Sequence, residues 1–396
     1  MSATLSNDSW SITILDRFNL EPISIIPANS VRRGSFQERL YGTGHGELTI
    51  TISDEILEQG IYDMIVDGGI IEFTREWYDP FSGENKTWTY IGYPETMSTQ
   101  TERGTKFVRE LGSIINEIVV IGEGSGATRK VFRVSDEALK RRYGLRELGA
   151  ASRGIIVNSE VTTQAEADEL ARADLDRYSL KQTHMEYKYL SHLRHPSITI
   201  RMRDPWVLAQ RRVIATDNIL AYPSGWTSAG EFVSSLVTSE IVEQRNRVNA
   251  ETYIQPIRST VKNIGTAPQF QMRWWPMLEA LVRGCYHGGI GLLYTVDFAS
   301  RAIDLTTRQI HETGRIIDPA TAVSALSAEV GDVIQVRENT HVSSINNLED
   351  MTVLELNTIV EPGKQTRVEP NFNDVTYALS DMWGEIGTQS WGQDIS

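Results

Sequence analysis

Ile118-Val-Val-Ile-Gly-Glu-Gly-Ser-Gly-Ala127, followed by Thr128-Arg-Lys-Val-Phe-Arg-Val134, is the stretch on which the fold turns. An apolar strand running into GxGxxA opens a dinucleotide-binding unit only if a helix follows, because the helix N-terminus supplies the amides that hold the pyrophosphate. Here the residues after Ala127 alternate like a second strand. The glycines are then turn residues that supply positive φ in a tight hairpin, and no cofactor is expected. Position 123 is Glu, so the segment also departs from the GxSxG order and Ser125 is not read as a nucleophile.

Strand patterns recur on both sides of this hairpin. Ser11-Ile-Thr-Ile-Leu15, Glu47-Leu-Thr-Ile-Thr-Ile52 and Gly69-Ile-Ile-Glu-Phe-Thr-Arg-Glu-Trp-Tyr78 alternate or are rich in β-branched and aromatic residues. Asp79-Pro-Phe-Ser-Gly-Glu84 is a turn cluster, and Thr87-Trp-Thr-Tyr-Ile-Gly-Tyr93 answers the strand before it. Downstream, Ser197-Ile-Thr-Ile-Arg-Met202, Leu292-Leu-Tyr-Thr-Val-Asp-Phe298, Gly331-Asp-Val-Ile-Gln-Val336 and Met351-Thr-Val-Leu-Glu-Leu356 read as strands. Glu361-Pro-Gly-Lys364 turns residues 365–369 back on the last of them.

Helices are fewer. A short one is expected over residues 54–58. The capping box Thr163-Gln-Ala-Glu166 starts another, with Ala167, Leu170, Ala171, Asp174 and Tyr178 along one side, lying on a sheet. Asp204 with Pro205 opens a third that turns Trp206, Leu208 and Ala209 inward, and residues 227–247 place Phe232, Leu236 and Ile241 near helical spacing. Pro276 begins a helix that Gly288 and Gly289 stop.

The chain has 396 residues, 40% hydrophobic and 23% charged, which is ordinary globular composition with room for several cores. Neither apolar stretch, residues 114–121 or 289–296, approaches the roughly 18 residues of a membrane helix, and the polar opening residues 1–10 do not read as a signal peptide. Cys285 is the only cysteine, so no disulfide forms within the chain. A formal charge of −14 argues against a surface that grips phosphate backbones, yet it suits a channel whose acidic lining lets DNA pass without sticking.

Each remaining motif has a structural explanation. His184, His192 and His195 lack the HExxH arrangement and read as a basic loop before Pro196, so no metal is expected. Cys285 and His287 share one glycine-bounded turn without an orienting partner, and the cysteine reads as buried structure. Tyr41-Gly-Thr-Gly-His-Gly46 precedes a strand and is a flexible or bulged loop. Asn85-Lys-Thr87 matches a glycosylation triplet by chance in a turn. Of the nine tryptophans, Trp77, Trp88 and Trp206 are assigned to the core and a share of the rest to subunit contacts. No catalytic, cofactor-binding or metal-binding residue is nominated, and the chain is not expected to be an enzyme.

Several blocks together resemble the tail-tip hub proteins of siphophages, a family related in fold to the myophage baseplate hub and the VgrG spike base. They are Leu15-Asp-Arg-Phe-Asn-Leu20, Gly69-Ile-Ile-Glu-Phe73, Leu111-Gly112 with Gly122-Glu-Gly124, Arg203-Asp-Pro-Trp-Val-Leu-Ala-Gln-Arg-Arg212, Gly331-Asp-Val-Ile334 and Glu361-Pro-Gly363. The resemblance implies a mainly β, multi-domain chain with α+β insertions, in which two tube-like β-barrel domains accompany smaller α/β elements. The divisions expected are an N-terminal β tube-like domain over residues 1–97, a β-hairpin and helix segment over 98–190, and an α+β middle domain over 191–310. A C-terminal β domain over 311–380 and a polar tail over 381–396 complete the chain.

It further implies a homotrimeric virion protein at the tail tip, made in the host cytoplasm. Two similar barrels per subunit would present six near-equivalent edges, adapting a hexameric tail tube to a threefold fibre or spike. Its partners would be the tail tube or distal tail protein, the tape-measure protein and the central fibre or spike, with DNA only in transit and no stable membrane insertion. Two other readings stay open: a tail-associated peptidoglycan hydrolase or peptidase, and the spike base of a contractile secretion system.

Overall fold

A computed structural model of the chain describes residues 8–52, 60–79, 82–100, 106–112, 114–125, 128–144, 155–178, 197–214, 225–243, 247–248, 251–252, 256–268, 275–317, 329–337, 348–364 and 366–373. The expected helix at 54–58, the three clustered histidines and the polar tail lie outside these residues.

The N-terminal part runs β1 (Ser9–Leu15), β2 (Pro22–Ile25), β3 (Val31–Arg39), β4 (His45–Thr51), α1 (Ile61–Val66), β5 (Ile70–Asp79), β6 (Glu84–Gln100) and β7 (Lys106–Glu110). An insertion follows with β8 (Glu117–Ile121), β9 (Val131–Ser135), α2 (Glu137–Tyr143), β10 (Ile155–Val157) and α3 (Gln164–Tyr178). Next come β11 (Ser197–Arg203), α4 (Val207–Gln210), α5 (Ala229–Val237), the two-residue strands β12 (Arg247–Val248) and β13 (Glu251–Thr252), β14 (Ile257–Arg258), α6 (Met277–Gly288), β15 (Ile290–Asp297) and β16 (Ala302–Gln309). The C-terminal strands are β17 (His311–Ile317), β18 (Asp332–Arg337), β19 (Leu348–Val360) and β20 (Arg367–Asn373).

The chain is mainly β, with several sheets and more than one core. Its largest sheet has 12 strands in the order β17-β18-β19-β3-β4-β11-β6-β5-β1-β2, with β20 beside β19 and β7 beside β6. N-terminal and C-terminal strands therefore share one sheet, joined where β3 pairs antiparallel with β19 from Arg39↔Glu355 to Gly34↔Val360. β11, from the part expected as a middle domain, sits between β4 and β6.

The 17-residue β6 folds this sheet over. Its first half pairs with β5 in the expected hairpin, Ile71↔Gly92 to Asp79↔Glu84. Its second half pairs with β11, with a bulge between Arg201 and Met202 opposite Pro94, where a missing backbone N–H costs the ladder least. The β1-β5 layer thus lies over the β3-β4-β11 layer, and Phe36 stacks on Phe73 with ring centroids 4.1 Å apart at 16°. Ile12, Ile14, Leu48, Ile50, Ile71 and Ile198 fill the space between.

The outer face of the β5-β6 hairpin is buried too. Ile70 and Ile91 join the core formed by α5, α6 and the β14-β16-β15 sheet, where Phe232, Leu236, Leu281 and Cys285 pack. Gly289, at φ 68°, closes α6, and Pro276 precedes its first residue, as the sequence predicts. Residues 227–247 do not form one helix. α5 ends at Val237 and widens into a π-turn over Thr238–Glu243, and Arg247–Val248 is already strand. One cause is visible: the buried Arg212 Nε donates to the carbonyl of Glu240 at 3.2 Å, and Ser239 Oγ donates back to Ser235 and Leu236, so these carbonyls are drawn out of the regular ladder.

In the insertion, β8 and β9 form the predicted hairpin, Glu117↔Ser135 to Ile121↔Val131, and Gly124 takes φ 110° in its turn. The capping box is present: Glu166 accepts from Thr162 and Thr163, and Thr163 Oγ accepts from the Glu166 amide at 3.4 Å. α3 lies on β8 and β9 as expected, but with a different stripe. Ala167, Ala171 and Leu175 are buried, whereas Leu170 is 39% exposed and Asp174 faces water. The i, i+4, i+8 row is what a close approach of two alanines to a sheet selects. The helix expected after Asp204 is a single turn, α4, although Trp206, Leu208 and Ala209 are buried as predicted.

Candidate functional site

Three features merit a functional reading: a polar face, a buried acidic knot and an aromatic cleft. The polar face is the side of β19-β3-β4-β11-β6 opposite the Phe36 core, since alternation puts Ser35, Gln37, Glu47, Thr49, Thr199 and Arg201 outward. Its groups pair across strands: Ser35 Oγ with Asn357 at 2.8 Å, Gln37 Nε2 with Glu355 at 2.8 Å, Thr49 with Thr199 at 3.0 Å and Arg201 with Glu47 at 3.0 Å. Arg39 meets Glu355 at 2.8 Å, and Glu95 is held by Arg211. His45 is held near a pKa of about 4, mainly by burial and then by Arg203 and Arg39, so it is neutral. A shallow groove of about 490 Å³ runs along this face. On this face acids and bases are interleaved.

The knot joins the glycine-rich loop to the end of β11. Asp204, 1% exposed, accepts from the Gly44 amide at 2.7 Å through one oxygen and from the Trp206 amide at 3.1 Å through the other. A Cβ at Gly44 would lie 2.0 Å from the Gln37 carbonyl oxygen, so only glycine fits. The loop that the sequence leaves as flexible or bulged is thus pinned by a carboxylate 160 residues away.

Burial pushes the Asp204 carboxyl from 3.8 up to about 8, against the two amide bonds, with nearby Glu38 adding to the rise. The native state keeps this proton across that window and the unfolded chain does not. The contribution is therefore complete below about 3.8 and lost as pH rises through about 8. In thermal unfolding, wild type should lose ground to Asp204→Asn as pH rises from about 5 to about 8. A difference that stays constant, or that shifts in favour of the wild type as pH rises, would contradict this.

The cleft, about 620 Å³, opens where the folded-over sheet stops being filled. Register explains it. Phe36, Phe73 and Tyr90 close the core, and the next residues on the same faces, Glu38 on β3, Arg75 and Trp77 on β5, and Trp88 and Lys86 on β6, line open space. Trp77 and Trp88, assigned to the core from sequence, are half-buried here, and only Trp206 of the three is fully buried. The strand alternation that put them inside is correct. What it cannot show is that the facing layer ends before it reaches them.

Glu38 accepts from the Trp88 indole N–H at 3.2 Å, and burial raises its carboxyl to about 7. Arg75 lies over the Trp77 ring at 4.6 Å and is paired with Asp8 at 2.9 Å. The opposite walls come from β15, β19 and β20, elements remote in sequence from the hairpin.

Elsewhere, Cys285 is buried with its thiol pushed well above the usual range by burial alone, and His287 is exposed. Ser125 lies in the hairpin turn and shares hydrogen bonds with Thr128. Among the described residues no group of three His, Cys, Asp or Glu is placed to hold a metal ion, and no helix is long and apolar enough to cross a membrane.

No protein-family model matches the chain, and no curated protein does. Among solved structures it is similar to the tail protein from Neisseria meningitidis MC58, at TM-score 0.39 and 6% identity over 93% of this chain and 96% of that one. It is also similar to the prophage MuSo2 43 kDa tail protein from Shewanella oneidensis, at TM-score 0.36 and 7% identity over 93% and 97%. A third likeness is to an E. coli type VI secretion system component with structural similarity to T4 bacteriophage tail proteins, at TM-score 0.37 and 8% identity over 87% and 73%. At these scores no functional argument rests on the likenesses.

Proposed function

We propose that this chain is a structural hub at the tip of a bacteriophage tail. Three copies form a ring that adapts the sixfold tail tube to a threefold fibre or spike and leaves a channel for the genome. The observation that supports this most is the β3–β19 junction, which fuses N-terminal and C-terminal strands into one wall with a polar, charge-paired face on one side and packed cores on the other. From β17 to β6, seven strands lie side by side. Three such walls would place about 21 strands around an axis, more than the roughly 16–18 that already leave an aqueous channel in porins. Interleaved charge on the lining suits passage, since it offers DNA no basic track to grip.

Assembly through strand edges fits the other end of the sheet. β2 is its last strand and carries Ile23 and Ile25 at 44% and 65% exposure. An apolar strand at an open edge is a natural contact for a neighbouring subunit. The hydrolase alternative has less support: Asp204 has both oxygens on backbone amides, which leaves Glu38 as the cleft carboxyl with a raised pKa.

Electron microscopy of purified particles tests the reading. Three copies at the tail tip are expected, and Ile25→Lys should weaken their association in the purified chain. A single copy in the particle, or a position away from the tip, would sink it.

A further inference from the structure

We propose that the cleft at the mouth of the folded-over β layer binds an uncharged, hydroxyl-rich ring ligand, that is, a segment of neutral glycan. The mouth of a rolled sheet is a common place for a ligand pocket, and this one lies where the β5-β6 hairpin, β15 and the β19-β20 hairpin meet. The inference stands apart from the hub reading and does not require a trimer.

The chemistry of the lining selects the ligand class. Trp77 and Trp88 are diagonal neighbours across the β5-β6 ladder, since Arg75 pairs with Trp88 and Trp77 with Lys86. Diagonal side chains on one face stand about 7–8 Å apart or less, within reach of a single ring system or two linked ones. Phe298, 48% exposed, lies at the rim. Large apolar side chains left open to water in this way suit a ligand with an apolar face.

The polar groups point away from a charged ligand. Each cation of the lining already holds an acid: Arg75 has Asp8 at 2.9 Å, Lys86 has Asp79 at 3.2 Å, and Arg308 has Asp332 and Glu329 at 3.0 Å. A charged ligand would have to displace one of these. What remains is hydroxyl chemistry from Thr295 and Thr358. A sugar ring matches the set, with an apolar face for the indoles and hydroxyls that both donate and accept around its edge.

The test is a titration of the full chain, followed by intrinsic tryptophan fluorescence, with N-acetylglucosamine tetramer and with maltotetraose; a sialic acid tetramer serves as the charged comparison. A saturable change is expected with a neutral probe at millimolar concentration or below. Affinity should fall about tenfold or more in Trp77→Ala, the loss of one aromatic stacking contact. Phe298→Ala, at an exposed position, should also weaken binding and serves if the tryptophan variant fails to fold. No saturable response to either neutral probe, preference for the charged one, or binding that survives both substitutions overturns the proposal. Cleavage of the bound probe would uphold the site and overturn the non-enzymatic hub reading, whereas a monomeric chain that binds the probe would overturn only the hub.

Discussion

Phe36→Ala is expected to lower stability by about 3–5 kcal/mol, the cost of removing a fully buried aromatic side chain whose site cannot collapse. Phe36 has no exposed surface, stacks on Phe73 and tilts against Tyr90 at 5.4 Å. It is the contact between the two layers that β6 folds together, so its loss acts on both at once. Because the chain has several cores, a single two-state free energy is not the right readout. Urea unfolding followed by hydrogen exchange of β3, β4 and β5 amides should show those strands opening first, and Phe36→Leu should give a smaller shift. Exchange that rises equally everywhere would contradict a role confined to this core.

A loss of about 1.5–3 kcal/mol is expected for Lys140→Met, which removes a charged hydrogen bond to a buried carboxylate. Lys140 Nζ lies 2.7 Å from Glu117, and the two side chains are 7% and 2% exposed. Arg133 at 3.4 Å and Ser135 Oγ at 2.7 Å stay with Glu117, which limits the loss. Adding Glu117→Leu should recover part of the loss, since a buried pair replaced by apolar groups is often neutral while half a pair is not. Thermal unfolding of the wild type, the single variant and the double variant checks this. A double variant less stable than Lys140→Met would show that Glu117 has a further role.

These two residues show what local sequence carries and what it leaves out. The hairpins at 70–92 and 117–135 and the helices begun by Glu166 and Pro276 are legible because turn glycines, capping side chains and period-two alternation act over a few residues. The charge-rich strand Val31–Arg39 that carries Phe36 is not among the strands read from the sequence, and its contact with Phe73 is not legible either. Pairings such as Ser35 with Asn357, 322 residues apart, leave no mark in local periodicity. The same holds for β11, whose alternation is plain and whose place between β4 and β6 is not.

The cleft follows from that gap. Trp77 and Trp88 have the sequence signature of core residues, and only the length of the opposing strands leaves them open. Lys140 is a case of a different kind. Its place on α2 is set by a capped start, the Leu139 amide donating to Asp136 at 3.0 Å, yet a lysine in such a helix reads as solvent-facing until β8 brings Glu117 beneath it.

The seam between β3 and β19 also has a history in time. During synthesis β3 emerges early, and its hydrogen-bonding edge has no β19 to meet until some 322 residues later. At ribosomal rates of about 5–20 residues per second that is a wait of roughly 15–65 s. Throughout it, the growing chain exposes a strand edge of the kind that joins neighbouring polypeptides on the same message. Gly34 lies at the end of this edge, and Glu38 and Arg39 place charge along it, so the nascent strand carries its own protection until the last strands arrive.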